Sequence, residues 1–166
     1  VIFLSLTNTT TDLPKNVISS GINSLSQVNA IKKFLKLNDI NKTIFLTPDL
    51  DFKIEVTKAI RQSKIKISKK YIYDTKPTNL TKQIEDITNY KIRKQNLADE
   101  ILRVKKSDLE DKEKQLEKLE KRYTIGNVKF DSVIIADFEE SLKSVITSLL
   151  YTDCLLYTSP SPRDLV

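Results

Sequence analysis

The chain has 166 residues, 39% hydrophobic and 30% charged, with a formal net charge of +6. That is enough apolar material for one core of ordinary size, in a composition that excludes wholesale disorder. The 28 Lys and Arg are interspersed with 22 Asp and Glu along most of the chain, so the excess reads as Lys/Ile/Asn-rich codon usage and no nucleic-acid partner is expected.

What is missing narrows the chemistry further. There is no His and only one Cys, so Ser-His-Asp and Cys-His nucleophilic systems and His-based zinc sites are excluded from this chain. With two glycines, neither G-x-G-x-x-G nor G-x-x-x-x-G-K-[ST] is present, so the standard phosphate cradles are absent too. The expectation is therefore a non-catalytic protein with no metal and no cofactor. No apolar run reaches the ~20 residues that cross a bilayer. The chain contains no Met and opens inside an apolar run, Val1-Ile2-Phe3-Leu4, so it is expected to be internal to a longer protein whose signal or anchor lies upstream.

In chain order, Val1 to Leu6 is a short apolar run that predicts a buried parallel strand, followed by a polar loop, Thr7-Asn8-Thr9-Thr10. Val17 to Ser19 reads as a brief strand. Ser24-Leu25-Ser26-Gln27 has the S-x-x-Q capping pattern, and Val28, Ile31 and Leu35 recur at helical spacing until Asn38-Asp39. Thr43 to Thr47 predicts a second buried strand, closed by Pro48-Asp49. A helix carrying Phe52, Val56, Ala59 and Ile60 follows, then a half-exposed edge strand in which Ile65, Ile67, Tyr71 and Tyr73 alternate with polar residues.

Residues from about 79 to 123 are helical in propensity, with Leu80, Ile84 and Ile87 opening the segment and a charged stretch, DLEDKEKQLEKLEKR, closing it. Asp108 with Lys112, Glu110 with Lys114 and Glu117 with Lys121 are i,i+4 pairs, whereas the seven-residue spacing of Leu102, Leu109 and Leu116 lacks apolar companions. One or two long solvated helices projecting from the core are expected. Gly126 marks the return, Val133 to Ala136 is a further buried strand, and Asp137 with Glu140 forms a D-x-x-E cap on a helix bearing Leu142, Val145, Ile146 and Leu149. This alternation predicts an α/β fold: a parallel sheet with helices on both faces.

From Cys154 the style changes to Ser/Pro-rich text, CLLYTSPSPRD, which resembles the translation of a transposon-end adaptor used in preparing sequencing libraries. Residues 154–166 are accordingly read as a non-native tail, with a natural Ser/Pro linker as the alternative.

Polar loops at strand C-termini are where open α/β sheets place ligands. Ser5, Thr7, Asn8 and Thr9 are the candidates after the first strand, with turn and cap chemistry as the competing explanation. Asp49 and Asp137 read as helix caps.

With these segments in place, FLSLTNTT, TIFLTPDLDF and FDSVIIADFEESLKSVITSLLYTD resemble the type I periplasmic-binding protein family, specifically its leucine/isoleucine/valine-binding-like group. The resemblance implies residues 1–22 as the end of a first lobe and hinge crossing, and 23–153 as a second lobe with a helical insertion at about 79–123. It implies that Ser5, Thr7, Asn8 and Thr9 face a small amino-acid-like ligand, and that Phe52 falls where a Tyr commonly stands; Lys53 replaces the Gly usual after it. Within the family, the penicillin-binding protein activators look closest, envelope lipoproteins that stimulate a peptidoglycan synthase. The implied role is activation of such a synthase in the periplasm or cell envelope. The alternatives are the binding component of an amino-acid ABC uptake system, partnered by its permease, and a piece of a cytoplasmic doubly wound α/β enzyme.

Overall fold

A computed structural model describes residues 3–5, 15, 17–19, 22–108 and 110–153, with 3–5 and 17–19 described by their backbone. The elements in order are β1 (Phe3–Ser5), β2 (Val17–Ser19), α1 (Ser24–Leu37), β3 (Thr43–Pro48), α2 (Lys53–Ser63), β4 (Lys69–Tyr73), α3 (Pro77–Ile87), α4 (Tyr90–Lys106), α5 (Lys112–Glu120), β5 (Ser132–Ile135) and α6 (Glu139–Tyr151). The fold is α/β, with a three-stranded parallel sheet ordered β4-β3-β5 and a separate parallel pair β1-β2. The adaptor-like tail lies outside the described residues.

The chain divides into two compact units, one running to Ile72 and including Ser132–Ala136, the other made of Tyr73–Asp131 and the residues from Asp137 on. In the first unit every residue of β3 is buried, as the continuous apolar run predicts. β5 pairs with it in the register Thr43↔Ser132 to Leu46↔Ile135, and Ala136 N–H extends the ladder by donating to Leu46 O at 2.9 Å. Val28, Leu35, Phe45, Ala59, Ile60 and Ile65 form the core under this sheet. β4 is an edge strand with Lys69 and Lys70 exposed; it begins at Lys69, so Ile65 and Ile67, read from the sequence as part of its alternation, precede it, with Ile65 in the core.

Caps sit differently from the sequence patterns. α1 is capped one residue early, by Asn23, whose extended backbone (φ −96°, ψ 167°) lets its side-chain oxygen accept from Ser26 N–H at 2.9 Å. The D-x-x-E cap on α6 does not form. Asp137 instead accepts from the neighbouring Phe138 N–H and from the Tyr73 hydroxyl, and Glu140 pairs with Lys143 at 2.6 Å.

The second unit corrects the picture of a solvated helical projection. Residues 79–123 contain parts of three helices, and the first two build the unit's interior. Leu80 and Ile84 of α3 are 1% and 0% exposed and pack on α6, which buries Val145 and Leu149. α4 buries Tyr90, Arg93, Leu97 and Val104, a helical stripe that the charges between them obscure in the sequence. Only α5, among the described helices, buries nothing. Of the three predicted i,i+4 pairs, Glu117–Lys121 forms, at 2.6 Å.

Candidate functional site

The candidate residues begin at the C-terminal end of β3. There Thr47 Oγ1 donates to Ala136 O at 3.2 Å, tying β3 to the end of β5. β3 lies between β4 and β5, so the strand order turns back at β3, the place where open α/β sheets accept ligands. Pro48 ends the strand and a tight turn follows, with Leu50 N–H donating to Pro48 O and Lys53 N–H to Leu50 O, both at 3.0 Å. Phe52 stands at the head of α2, half-buried, its carbonyl accepting from Val56 N–H at 3.2 Å. Asp49 does not cap the helix; it forms an ion pair with Lys53 one turn on. That pair is open to solvent on the Asp49 side and contributes about 0–1 kcal/mol.

Of the residues proposed from sequence, the structure therefore places Phe52 at this end of the sheet. Ser5 ends β1, with Ser19 as its register partner in β2. Thr7, Asn8 and Thr9 lie outside the described residues.

The second unit holds two polar clusters that sequence reasoning did not single out. Tyr73, 1% exposed, donates its hydroxyl to Asp137. Burial and, next, the Asp137 carboxylate push the phenol well above the usual tyrosine range, so at neutral pH it stays protonated. The other cluster centres on Arg93, 7% exposed. Its Nε donates to Gly126 O at 3.1 Å, Nη1 to Thr152 O at 3.0 Å, and Nη2 to Thr124 Oγ1 at 2.8 Å and Asp153 O at 2.9 Å. Thr124 Oγ1 in turn donates to Asp153 Oδ2 at 2.6 Å. The guanidinium thus ties the loop after α5 to the C-terminal end of α6, where a cation also complements the helix dipole. It is a clamp on the chain's own backbone. The one sequence signal for it was an Arg at stripe spacing between Tyr90 and Leu97.

The exposed side of α5 carries a shallow groove lined by Glu110, Asp111, Lys112, Glu113, Lys114 and Glu117. Among the described residues no group of three or more His, Cys, Asp or Glu is placed to hold a metal ion, and no helix is long and apolar enough to cross a membrane. No family model, curated protein or solved structure matches the chain.

Proposed function

We propose that this chain is a non-catalytic binding module of the leucine-binding-like, type I periplasmic kind, and that it acts as a penicillin-binding protein activator regulating peptidoglycan synthesis in the cell envelope. The observation that carries the reading is the β5–α6 segment. A short apolar strand, parallel to β3, runs into Asp137 and then an apolar-faced helix closed by Tyr151-Thr152-Asp153, the segment order on which the resemblance rests. The charged helix α5 supports the choice of a protein partner over a solute, since it spends no residue on the chain's own core.

The test is surface binding of a peptidoglycan synthase to the chain, compared with a Glu113→Lys/Glu117→Lys variant on α5. Loss of binding with an unchanged melting curve is the expected result. The reading fails if the synthase does not bind, or binds both proteins equally. A common amino acid at ~100 times its Kd adds about 2.7 kcal/mol of stability. An upward melting shift of several degrees with one of them would make the chain a solute receptor of an uptake system instead.

A further inference from the structure

The net charge of the chain belongs to one unit. Among residues 22–72 and 132–136, eleven Lys and Arg stand against four Asp and Glu, a net of +7. Residues 73–131 and 137–153 hold fifteen against sixteen, a net of −1. The excess lies in the continuous segment 22–72, since residues 132–136 carry no charge, and that segment makes up the described part of this unit apart from Lys15, residues 132–136 and the β1–β2 pair.

Within the first unit the lysines are sorted end to end. Ser24 Oγ donates to Glu55 Oε1 at 2.6 Å and Lys32 Nζ to Ser63 O at 2.7 Å, both contacts 31 residues apart, so α1 and α2 lie side by side and run the same way. Their C-terminal ends are neighbours. From them the connections 38–42 and 64–68 lead into β3 and β4, whose starts are joined by Ser68 N–H donating to Thr43 O at 2.8 Å. This end of the unit carries Lys36, Arg61, Lys64, Lys66, Lys69 and Lys70, all exposed. None of these six has a carboxylate within ion-pair distance among the described residues. Asp39 is the one acid in the two connections, while Asp49, Asp51 and Glu55 all sit at the opposite end, after β3. Helix dipoles account for Lys36 and Arg61 in the last turns of α1 and α2. They do not account for Lys66, Lys69 and Lys70, which lie beyond the helices.

Apolar side chains share this end. Phe34 and Leu37, in the last turn of α1 and flanked by Lys33 and Lys36, are 60% and 73% exposed. A surface of cations with large apolar groups standing among them matches the interface of an anionic bilayer, which offers phosphates to the first and the acyl boundary to the second. A single-stranded nucleic acid calls for stacking rings along the basic track. Of the two rings there, Tyr71 is half-buried with Lys69 Nζ 5.0 Å from its centroid, and Phe34 stands beside the aliphatic Leu37, so no run of stacking rings follows the lysines.

We propose that the basic end of this unit docks on an anionic phospholipid surface, its lysines facing the phosphates and Phe34 and Leu37 entering the headgroup region. The proposal is independent of the synthase-activator reading, because vesicle binding requires neither a synthase nor an amino acid. The test is co-sedimentation of the whole chain with phosphatidylcholine vesicles, with and without phosphatidylglycerol. Binding is expected only with phosphatidylglycerol, falling as ionic strength rises past ~0.1 M, where screening reaches about 10 Å. Lys36→Gln/Lys66→Gln/Lys70→Gln should lower the partition coefficient about 100-fold, roughly five-fold for each lysine. Phe34→Ser/Leu37→Ser should lower it as well, even at low salt, with melting curves that superimpose on the parent's. Equal binding to both vesicles, binding to neither, or no effect of the lysine variant would each overturn the proposal. So would tighter binding to a single-stranded oligonucleotide that depends on the lysines and not on Phe34 and Leu37.

Discussion

Replacing Arg93 with Met keeps much of the buried stem and removes the guanidinium, so it isolates the clamp. Four hydrogen bonds are lost, but they are not equivalent. Gly126 is exposed, and water can take over at its carbonyl; Thr124 Oγ1 keeps its bond to Asp153. Thr152 is fully buried and its carbonyl is orphaned outright, at about 2 kcal/mol, and the half-buried Asp153 carbonyl adds about 1 kcal/mol. The expected loss is therefore about 3 kcal/mol, a large part of the ~5–15 kcal/mol that holds a typical domain together. With a urea m-value of about 2 kcal/mol/M, the unfolding midpoint should fall by roughly 1.5 M at unchanged slope. Arg93→Lys should recover only part of this, because one ammonium cannot span the fork that the guanidinium fills. A midpoint shift below about 0.5 M for Arg93→Met would refute the assignment of Arg93 as the clamp between the post-α5 loop and α6.

Three further outcomes follow from the same geometry. Gly126 sits at φ +98°, and an added Cβ meets nothing nearer than Asn96 Nδ2 at 3.9 Å; Gly126→Ala should therefore cost about 1–2 kcal/mol through backbone conformation alone, measured by denaturant unfolding, and an unchanged stability would contradict it. Lys64 ends α2 in the left-handed region (φ 54°, ψ 34°), so Lys64→Gly should raise stability by ~0.5–1 kcal/mol, and a fall in melting temperature would count against that backbone assignment. The Tyr73 phenol is raised above its unfolded value of ~10, so the folded chain holds this proton after the unfolded chain has released it; its contribution is intact below pH ~10 and is lost as pH climbs above it. Tyr73→Phe should make the alkaline fall in stability shallower, and an identical pH profile for the two proteins would exclude Tyr73 as its source.

β3 was legible because its burial is one-dimensional, whereas β5, read as buried too, is half-buried throughout. Thr43 to Pro48 is apolar or small throughout and has no competing period, so the run itself announces a strand enclosed on both faces. The helices of the second unit were harder, for a physical reason. Leu80 and Ile84, then Leu97 and Val104, are separated by charged residues that face water, and the stripe even includes a cation, Arg93, buried with an acceptor for each of its three nitrogens. A reading weighted by local charge takes such a segment for a solvated one. The caps failed for a related reason: Asp137 had a stronger partner in Tyr73, and Asp49 in Lys53, neither visible from spacing to the helix start. Phe52, read from the sequence as part of a helix face, stands instead at the N-cap of α2, while the sorting of lysines to one end depended on α1 and α2 running in step, which no local pattern encodes.

The register of β5 also sets an order of events during folding. α1, β3, α2 and β4 follow one another closely and can assemble through local contacts, whereas Thr43 and Ser132, which share a 2.8 Å hydroxyl–hydroxyl bond, are 89 residues apart. Contacts of that separation pay loop-closure entropy before they return any stability, and they form late. β5 is then the last strand to arrive, and β3 keeps an open apolar edge until it does. Slowing the formation of α3 and α4 should therefore delay completion of a sheet to which neither helix contributes a residue, and the exposed β3 edge should make that interval the one in which the chain self-associates.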